Sequence, residues 1–303
     1  MTEPLKPVKR RSLFGVESPD FAMHDPGTAL ASVFRPVCRG RRPKGMDITQ
    51  TFDGSSLRFV NYEALDVRDQ SLLLACIGLA GISSVTLDKD ASGPIGKQLW
   101  LNLEPEKDAV FDQAVVVHTS YYQLLASAGY KSDGKIEYEQ LKESLFRLSA
   151  TTVRAQKDGY DWSMKILSYS ANDKTVRIAL NGRFAAALAG QHVRVSLEER
   201  FSLKSEIAEL VHCYLTTWVR PGEHQCTGLD RLVARIYGVE SIDPATTRKR
   251  RERMRDALTD EIDGLPGWSV TFIGKGGTSQ ATIWRSKDRI KQVKNDVSTP
   301  LPF

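Results

Sequence analysis

The sequence predicts an α+β fold: two tandem units of one plan, each a helix, then a helix-turn-helix, then a β-hairpin, behind a basic N-terminal arm. Three observations predict it. Helical segments bounded by Ser/Thr caps and glycine stops come in pairs, once in each half of the chain. A pair of alternating, β-rich segments bent at a glycine turn follows each pair. The order of elements repeats although the residues do not.

Composition sets the bounds. A chain of 303 residues with 41% hydrophobic content can bury a core, most naturally as two domains. We expect an arm over residues 1–45, a first domain over 46–196 and a second over 197–303. The arm holds nine Lys/Arg against four acids, with six prolines spread through it, and reads as partly disordered at least to Asp20. No run approaches the ~20 apolar residues of a membrane span. The N-terminal "MTEPLKPVKRRSLF" has no apolar core or cleavage site of a secretory signal, so a cytoplasmic location is expected. The four cysteines lack any C-x-x-C spacing and read as reduced thiols. His212, Cys213, His224 and Cys226 crowd together. His212 and Cys213 are adjacent on a helix and diverge, so no metal or other cofactor is expected.

In the first half, "DITQTF" and "SSLRFVNY" alternate as strands, and "VRDQSLLLACIGLAG" (67–81) is a helix stopped by Gly81. "TSYYQLLASAG" (119–129) begins on a Thr/Ser cap and ends on Gly129. "KIEYEQLKESLFRL" follows, with Tyr138, Leu141, Leu145 and Leu148 at helical spacing. "TTVRAQ" (151–156) and "WSMKILSY" (162–169) then flank Asp158-Gly159. In the second half, "LKSEIAELVHCYLTTWV" (203–219) is a helix, "TGLDRLVARIYG" (227–238) again ends on glycine, and Asp243-Pro244 leads into another helix. "WSVTFIG" and "QATIWRS" close the unit around Gly274, Gly276 and Gly277. This is the element order of two winged-helix domains.

The helix that starts at "TTRKRRERMRDAL" (246–258) carries the chemistry. Between Arg248 and Arg255 there are six Lys/Arg and one acid, a net of +5, which equals the net charge of the whole chain. The rest of the sequence is therefore close to neutral, and the basicity is local. On a helical wheel Thr247, Met254, Leu258 and Ile262 face the core. Lys249, Glu252, Arg253 and Asp256 lie opposite, with Arg248 and Arg255 on one flank and Arg250 nearer the core boundary. A solvated helix ordinarily mixes signs at i,i+4, whereas this one stays positive for two turns. Its acids (Asp256, Asp260, Glu261, Asp263) cluster near the C-terminal end, where the macrodipole disfavours them, so stability did not choose this arrangement.

Such a helix suits the major groove of double-stranded DNA, where Arg or Lys reads guanine O6 and N7 and flanking cations meet phosphates. The expected DNA contacts are Thr247, Arg248, Lys249, Arg250, Arg251, Arg253 and Arg255, with Lys249 and Arg253 on the base-reading ridge. The hairpin tip "GKGGTS" adds Lys275 and Thr278 as phosphate contacts. The tail "RSKDRIKQVK" (285–294) adds five positive side chains. The counterpart helix of the first half presents Glu137, Glu139 and Glu143 against Lys142 and Arg147. The first unit is therefore expected to be a weaker DNA reader or an assembly surface, touching DNA through Arg154, Lys157 and the arm.

Enzymatic readings fall away. "GKGGTS" lacks phosphate-loop spacing and sits between strands. Tyr121-Tyr122 has no accompanying histidine pair of the kind a DNA-nicking tyrosine needs, and no segment concentrates acids for two-metal chemistry. No catalysis is expected.

"HDPGTAL" (24–30), "GKQLWLNLEP" (96–105), "GQHVRVSLEE" (190–199) and "TTRKRRERMRDAL" resemble the corresponding stretches of IncQ-type plasmid replication initiators, the RepC family. The similarity runs in order from about His24 to Phe272, leaving residues 1–23 and the tail outside it. The resemblance implies two winged-helix domains, binding to directly repeated origin sequences (iterons), opening of adjacent A·T-rich DNA, and recruitment of a plasmid-encoded helicase and primase. It implies that Arg248 to Arg255 form the iteron-reading helix. The alternative from another class is a winged-helix transcriptional repressor that binds an inverted operator as a dimer. Some iteron initiators also repress as homodimers.

Overall fold

The computed structural model describes residues 9–11, 15–37, 42–91, 93–238 and 243–287, which fall into two compact units, 1–201 and 202–303.

The first unit holds two larger antiparallel sheets and a buried helix. The five-stranded sheet has the order Lys44–Phe52, Ser55–Glu63, Thr152–Lys157, Tyr160–Lys165, Glu106–Lys107. Two of its hairpins turn at Asp53-Gly54 and Asp158-Gly159, all four residues having positive φ, as the tight turn of a right-twisted hairpin requires. Ser55–Glu63 alternates strictly, sending Leu57, Phe59 and Asn61 inward. The four-stranded sheet has the order Leu167–Ala171, Thr175–Leu180, Ala114–Ser120, Val85–Leu87.

The helix Val67–Ile82 packs on Phe21–His24 and on the four-stranded sheet, and its side chains from Leu72 to Ile77 are all fully buried. Its start is fixed by a capping box in which Asp66 accepts from the Arg68 and Asp69 amides while Asp69 accepts from the Asp66 amide. Gly78 lets the chain at Pro19 approach, since a Cβ there would stand 2.6 Å from the proline ring. The paired helices Tyr121–Ser127 and Lys135–Ser149 also pack here, the first capped by Ser120.

Residues 17–34 differ from the arm expected of them. Phe21, Ala22, Met23, Val33 and Phe34 are buried, and Phe21–His24 pairs antiparallel with Val193–Ser196. The short helix Pro26–Leu30 is capped by Asp25, which accepts from the Thr28 amide and hydroxyl and pairs with Arg183 at 2.8 Å. Proline-rich composition suggested a loose segment; a partner strand some 170 residues later gives these apolar side chains their burial. Residues 1–8, 12–14 and 38–41 of the expected arm lie outside the described residues.

In the second unit Glu206–Trp218, capped by Ser205, packs against the turn Ala257–Ile262 and the helices Leu229–Tyr237 and Pro244–Asp256. Its three-stranded sheet has the order His224–Gly228, Gln280–Arg285, Trp268–Ile273. Met254, Leu258 and Ile262 are fully buried with Leu215, Val211 and Ile283, as the helical wheel anticipates, whereas Thr247, expected on the same face, is only half-buried. His212 and Cys213 lie in this core, whereas His224 and Cys226 sit on an exposed strand face. Among the described residues no helix is long and apolar enough to cross a membrane.

Two of the acids downstream of the basic helix have a structural task that the wheel did not reveal. The helix widens to π geometry over Ala257–Ile262. There Glu261 accepts from the backbone amides of Lys204 and Ser205 at 2.5 and 3.1 Å, capping the start of Glu206–Trp218, and Asp263 accepts from the Val270 amide at 2.6 Å. The positions of Glu261 and Asp263 are thus explained by tertiary hydrogen bonds, which corrects for these two acids the inference that stability did not choose the arrangement.

Candidate nucleic-acid interface

Pro244–Asp256 starts cleanly. Asp243 accepts from the Ala245 and Thr246 amides at 2.9 and 3.0 Å, and Pro244 occupies the first turn, where no N–H is needed. Thr246 donates its hydroxyl to the Asp243 carboxylate and Thr247 donates to the Asp243 carbonyl. The Thr247 hydroxyl hydrogen is therefore spent within the helix start. Asp243 is held below the usual carboxylate range by these bonds, the Thr246 hydroxyl first.

The six cations divide into two sets. Arg250, Arg251 and Arg255 are held by protein. Arg250 lies over the Tyr237 ring at 4.7 Å. Arg251 donates from Nε and Nη2 to the two Asp230 oxygens at 2.5 and 2.7 Å. Arg255 lies over Phe272 at 4.3 Å and donates to the Ser279 hydroxyl at 2.6 Å, tying the helix to the hairpin. Arg248, Lys249 and Arg253 are exposed and make no ion pair or side-chain hydrogen bond with the described residues. Lys249 and Arg253 project from the outer ridge. Arg248, Arg251 and Arg255, at helical spacing, line a groove of about 400 Å³ with Glu252, Leu229 and the hairpin-tip Gly276.

Gly274 and Gly276 have φ of +81° and +56°, and a Cβ at Gly274 would stand 3.0 Å from the Thr278 carbonyl oxygen, so this turn requires glycine. Lys275 is exposed at the tip, and Thr278 donates its hydroxyl to the Lys275 carbonyl at 2.9 Å. The Ser279 carbonyl accepts from the Leu229 amide at 2.8 Å, anchoring the tip to the helix Leu229–Tyr237. Basic helix, tip and the start of Leu229–Tyr237 therefore form one surface.

Arg154 and Lys157 belong to the first unit. Arg154 is exposed opposite Arg58, which is bound to Asp47 at 2.8 and 2.5 Å, while Lys157 donates to the Asp53 carbonyl at 2.7 Å. On the counterpart helix, Arg147 was expected to offset the exposed glutamates. It is instead buried, 8% exposed, against the carboxylate of Asp69. Of the exposed glutamates it reaches only Glu143, at 3.9 Å, and leaves Glu137 and Glu139 unopposed by it. Of the basic tail, Arg285 donates to the Thr216 carbonyl and lies over Trp268, a structural position; residues 288–303 lie outside the described residues. Sequence reasoning missed Asp230, an acid 21 positions before the arginine it binds.

The replication protein C (RepC) family model matches residues 17–279. The chain belongs to the RepC family of plasmid replication initiators. No curated protein sequence matches it. The crystal structure of domains 2 and 3 of RctB is similar to the chain in fold, with a TM-score of 0.51 at 11% identity over 86% of this chain and 97% of that one. A second RctB crystal structure, of residues 155–483, gives 0.48 at 10% identity over 89% and 99%. RepC membership agrees with the α+β architecture and with a role in DNA replication, and it extends the match upstream of His24 to residue 17.

Proposed function

We propose that the chain initiates plasmid replication by binding directly repeated origin sequences and opening the adjacent A·T-rich DNA, where a plasmid-encoded helicase and primase load. The observation that carries this reading is the uncompensated set Arg248, Lys249 and Arg253 on an exposed helix beside the glycine-tipped hairpin, in a chain of the RepC family. Both halves read as winged-helix domains. In the second, the helix Pro244–Asp256 enters the major groove, Lys249 and Arg253 meet base edges, and Lys275 follows the phosphate backbone as the wing.

Binding and DNA deformation do the work without turnover. Cations left unpaired by protein displace counterions from phosphates, which supplies affinity; base-edge contacts supply choice of sequence. The first unit, with its acidic helix face, adds backbone contacts through Arg154 and Lys157. Nuclease footprinting of the full chain on its origin tests the reading. Protection of several direct repeats, with enhanced reactivity in the neighbouring A·T-rich segment, is expected. Protection of a single inverted pair with no such reactivity would replace initiation with repression.

A further inference from the structure

We propose that Asp230 is a positioning residue that presents Arg251 as a base-reading fork, so that this pair contributes sequence choice and almost no affinity for random DNA. The proposal rests on the reading of Pro244–Asp256 as the DNA-recognition helix and adds to it a residue outside that helix.

A carboxylate on a DNA-binding surface needs a reason, because it repels phosphate. Asp230 stands in the first turn of Leu229–Tyr237 and is about half exposed, with 48% of its side chain accessible. It takes the Nε and Nη2 edge of Arg251 at 2.5 and 2.7 Å. That side-on pairing leaves the end of the guanidinium free: Nη1 has no acceptor among the described residues, and Nη2 retains one N–H. Those two nitrogens form the end-on fork that matches guanine O6 and N7. Charge and geometry are thereby separated. The pair is nearly neutral, so it releases few counterions, but its remaining donors keep their direction.

The surroundings hold the fork in place. A Cβ on Gly277 would lie 3.1 Å from Arg251 Nη2 and 3.5 Å from Asp230 Oδ2, so the hairpin tip comes down over the pair with only hydrogen on its surface. Arg251 also lines the groove between the helix and that tip. An arginine fixed in this way loses less rotamer freedom on binding than the free Arg248 or Arg253.

The test uses the full chain, its Asp230→Ala and Asp230→Glu variants and Arg251→Ala, with duplexes selected from a randomised library by each protein and with anisotropy titrations over a salt series. Expected for Asp230→Ala is loss of a guanine preference at one base pair, with the other positions kept. Cognate affinity falls about 10- to 100-fold. On random DNA the freed Arg251 takes a phosphate, and the slope of log K against log salt steepens by about 0.9. Arg251→Ala loses the same guanine preference, and Asp230→Glu restores part of it. Blurring of every position, with equal losses on cognate and random DNA and an unchanged slope, would show that Asp230 only braces two helices and would overturn the proposal. Full retention of the guanine preference in Asp230→Ala would do so as well. Failure of the wild-type chain to select any sequence would instead overturn the reading of this helix as a DNA reader.

Discussion

Arg147 donates to Asp69 from Nη2 at 2.8 Å and from Nε to both carboxylate oxygens at 3.1 Å, across 78 positions of sequence and inside the first unit. Asp69 is completely buried and also accepts from Arg42 at 3.3 Å and from the Asp66 amide at 2.9 Å. Burial, followed by the neighbouring Asp66, pushes its carboxyl above the ordinary range, while Arg147 opposes that push. The interaction locks Lys135–Ser149 onto Val67–Ile82 and withdraws a cation from the surface.

Removing the acid leaves a buried guanidinium with only the exposed Glu143, 3.9 Å away, as counter-charge. Asp69→Ala is expected to lose about 3–5 kcal/mol of unfolding free energy, read from urea denaturation of the full chain. A loss below about 1 kcal/mol would mean that Arg147 finds water once Asp69 is gone.

His24 gives the fold a pH dependence. Its ring is fully buried, 5.8 Å from the Phe184 ring, and burial lowers its pKa to about 4, with Arg200 adding to the effect and Asp25 opposing it. Between that value and the ordinary 6.5 the unfolded chain binds the proton that the folded chain refuses. Stability from this residue is therefore complete above pH 6.5 and declines as pH falls toward 4, by about 3 kcal/mol in total. His24→Leu should flatten that part of a stability-versus-pH curve. An unchanged decline would place its origin in other groups.

How much could be read from the chain depended on how far apart the partners lie. Caps and stops are local, so Ser120, Gly129 and the apolar spacing Met254, Leu258, Ile262 located their helices, although Gly81 lies inside Val67–Ile82 and the basic helix starts at Pro244, ahead of the expected Thr246. Asp158-Gly159 likewise announced its hairpin. Phe21–His24 gave no such signal, because its partner strand Val193–Ser196 is remote and the intervening prolines suggested looseness. The basic helix was legible as a charge pattern, but which of its arginines are free was not. That depends on Asp230, Tyr237, Phe272 and Ser279, which belong to other elements. Ala114–Ser120 contains the run "AVVV", a strand signal that lies outside the repeated order of elements.

The exposed cations should separate by role. Arg253→Ala is expected to weaken binding to an origin repeat by roughly 1–3 kcal/mol with little change on random DNA, since it loses a base contact. Lys275→Ala should weaken both equally and lower the salt slope by about 0.9, the signature of one lost phosphate contact. Anisotropy titrations on the two duplexes across a salt series measure both effects. The reverse assignment would mean that the helix lies rotated in the groove.

The last expectation concerns the two units. Residues 202–303 carry the basic helix, its hairpin and the Asp230–Arg251 pair, whereas the first unit presents an acidic helix from which Arg147 has been withdrawn. A fragment of residues 202–303 should therefore select the same sequence as the full chain. Its affinity should be lower, because tethering a second contact raises effective concentration without changing either site. On one repeat it should give a shorter footprint and leave the adjacent A·T-rich DNA closed, as judged by permanganate reactivity. The complementary fragment of residues 1–201 should bind weakly and without preference. If that fragment carried the sequence preference instead, the role assigned to Pro244–Asp256 would pass to the first unit, and the free cations Arg248, Lys249 and Arg253 would be left supplying affinity alone.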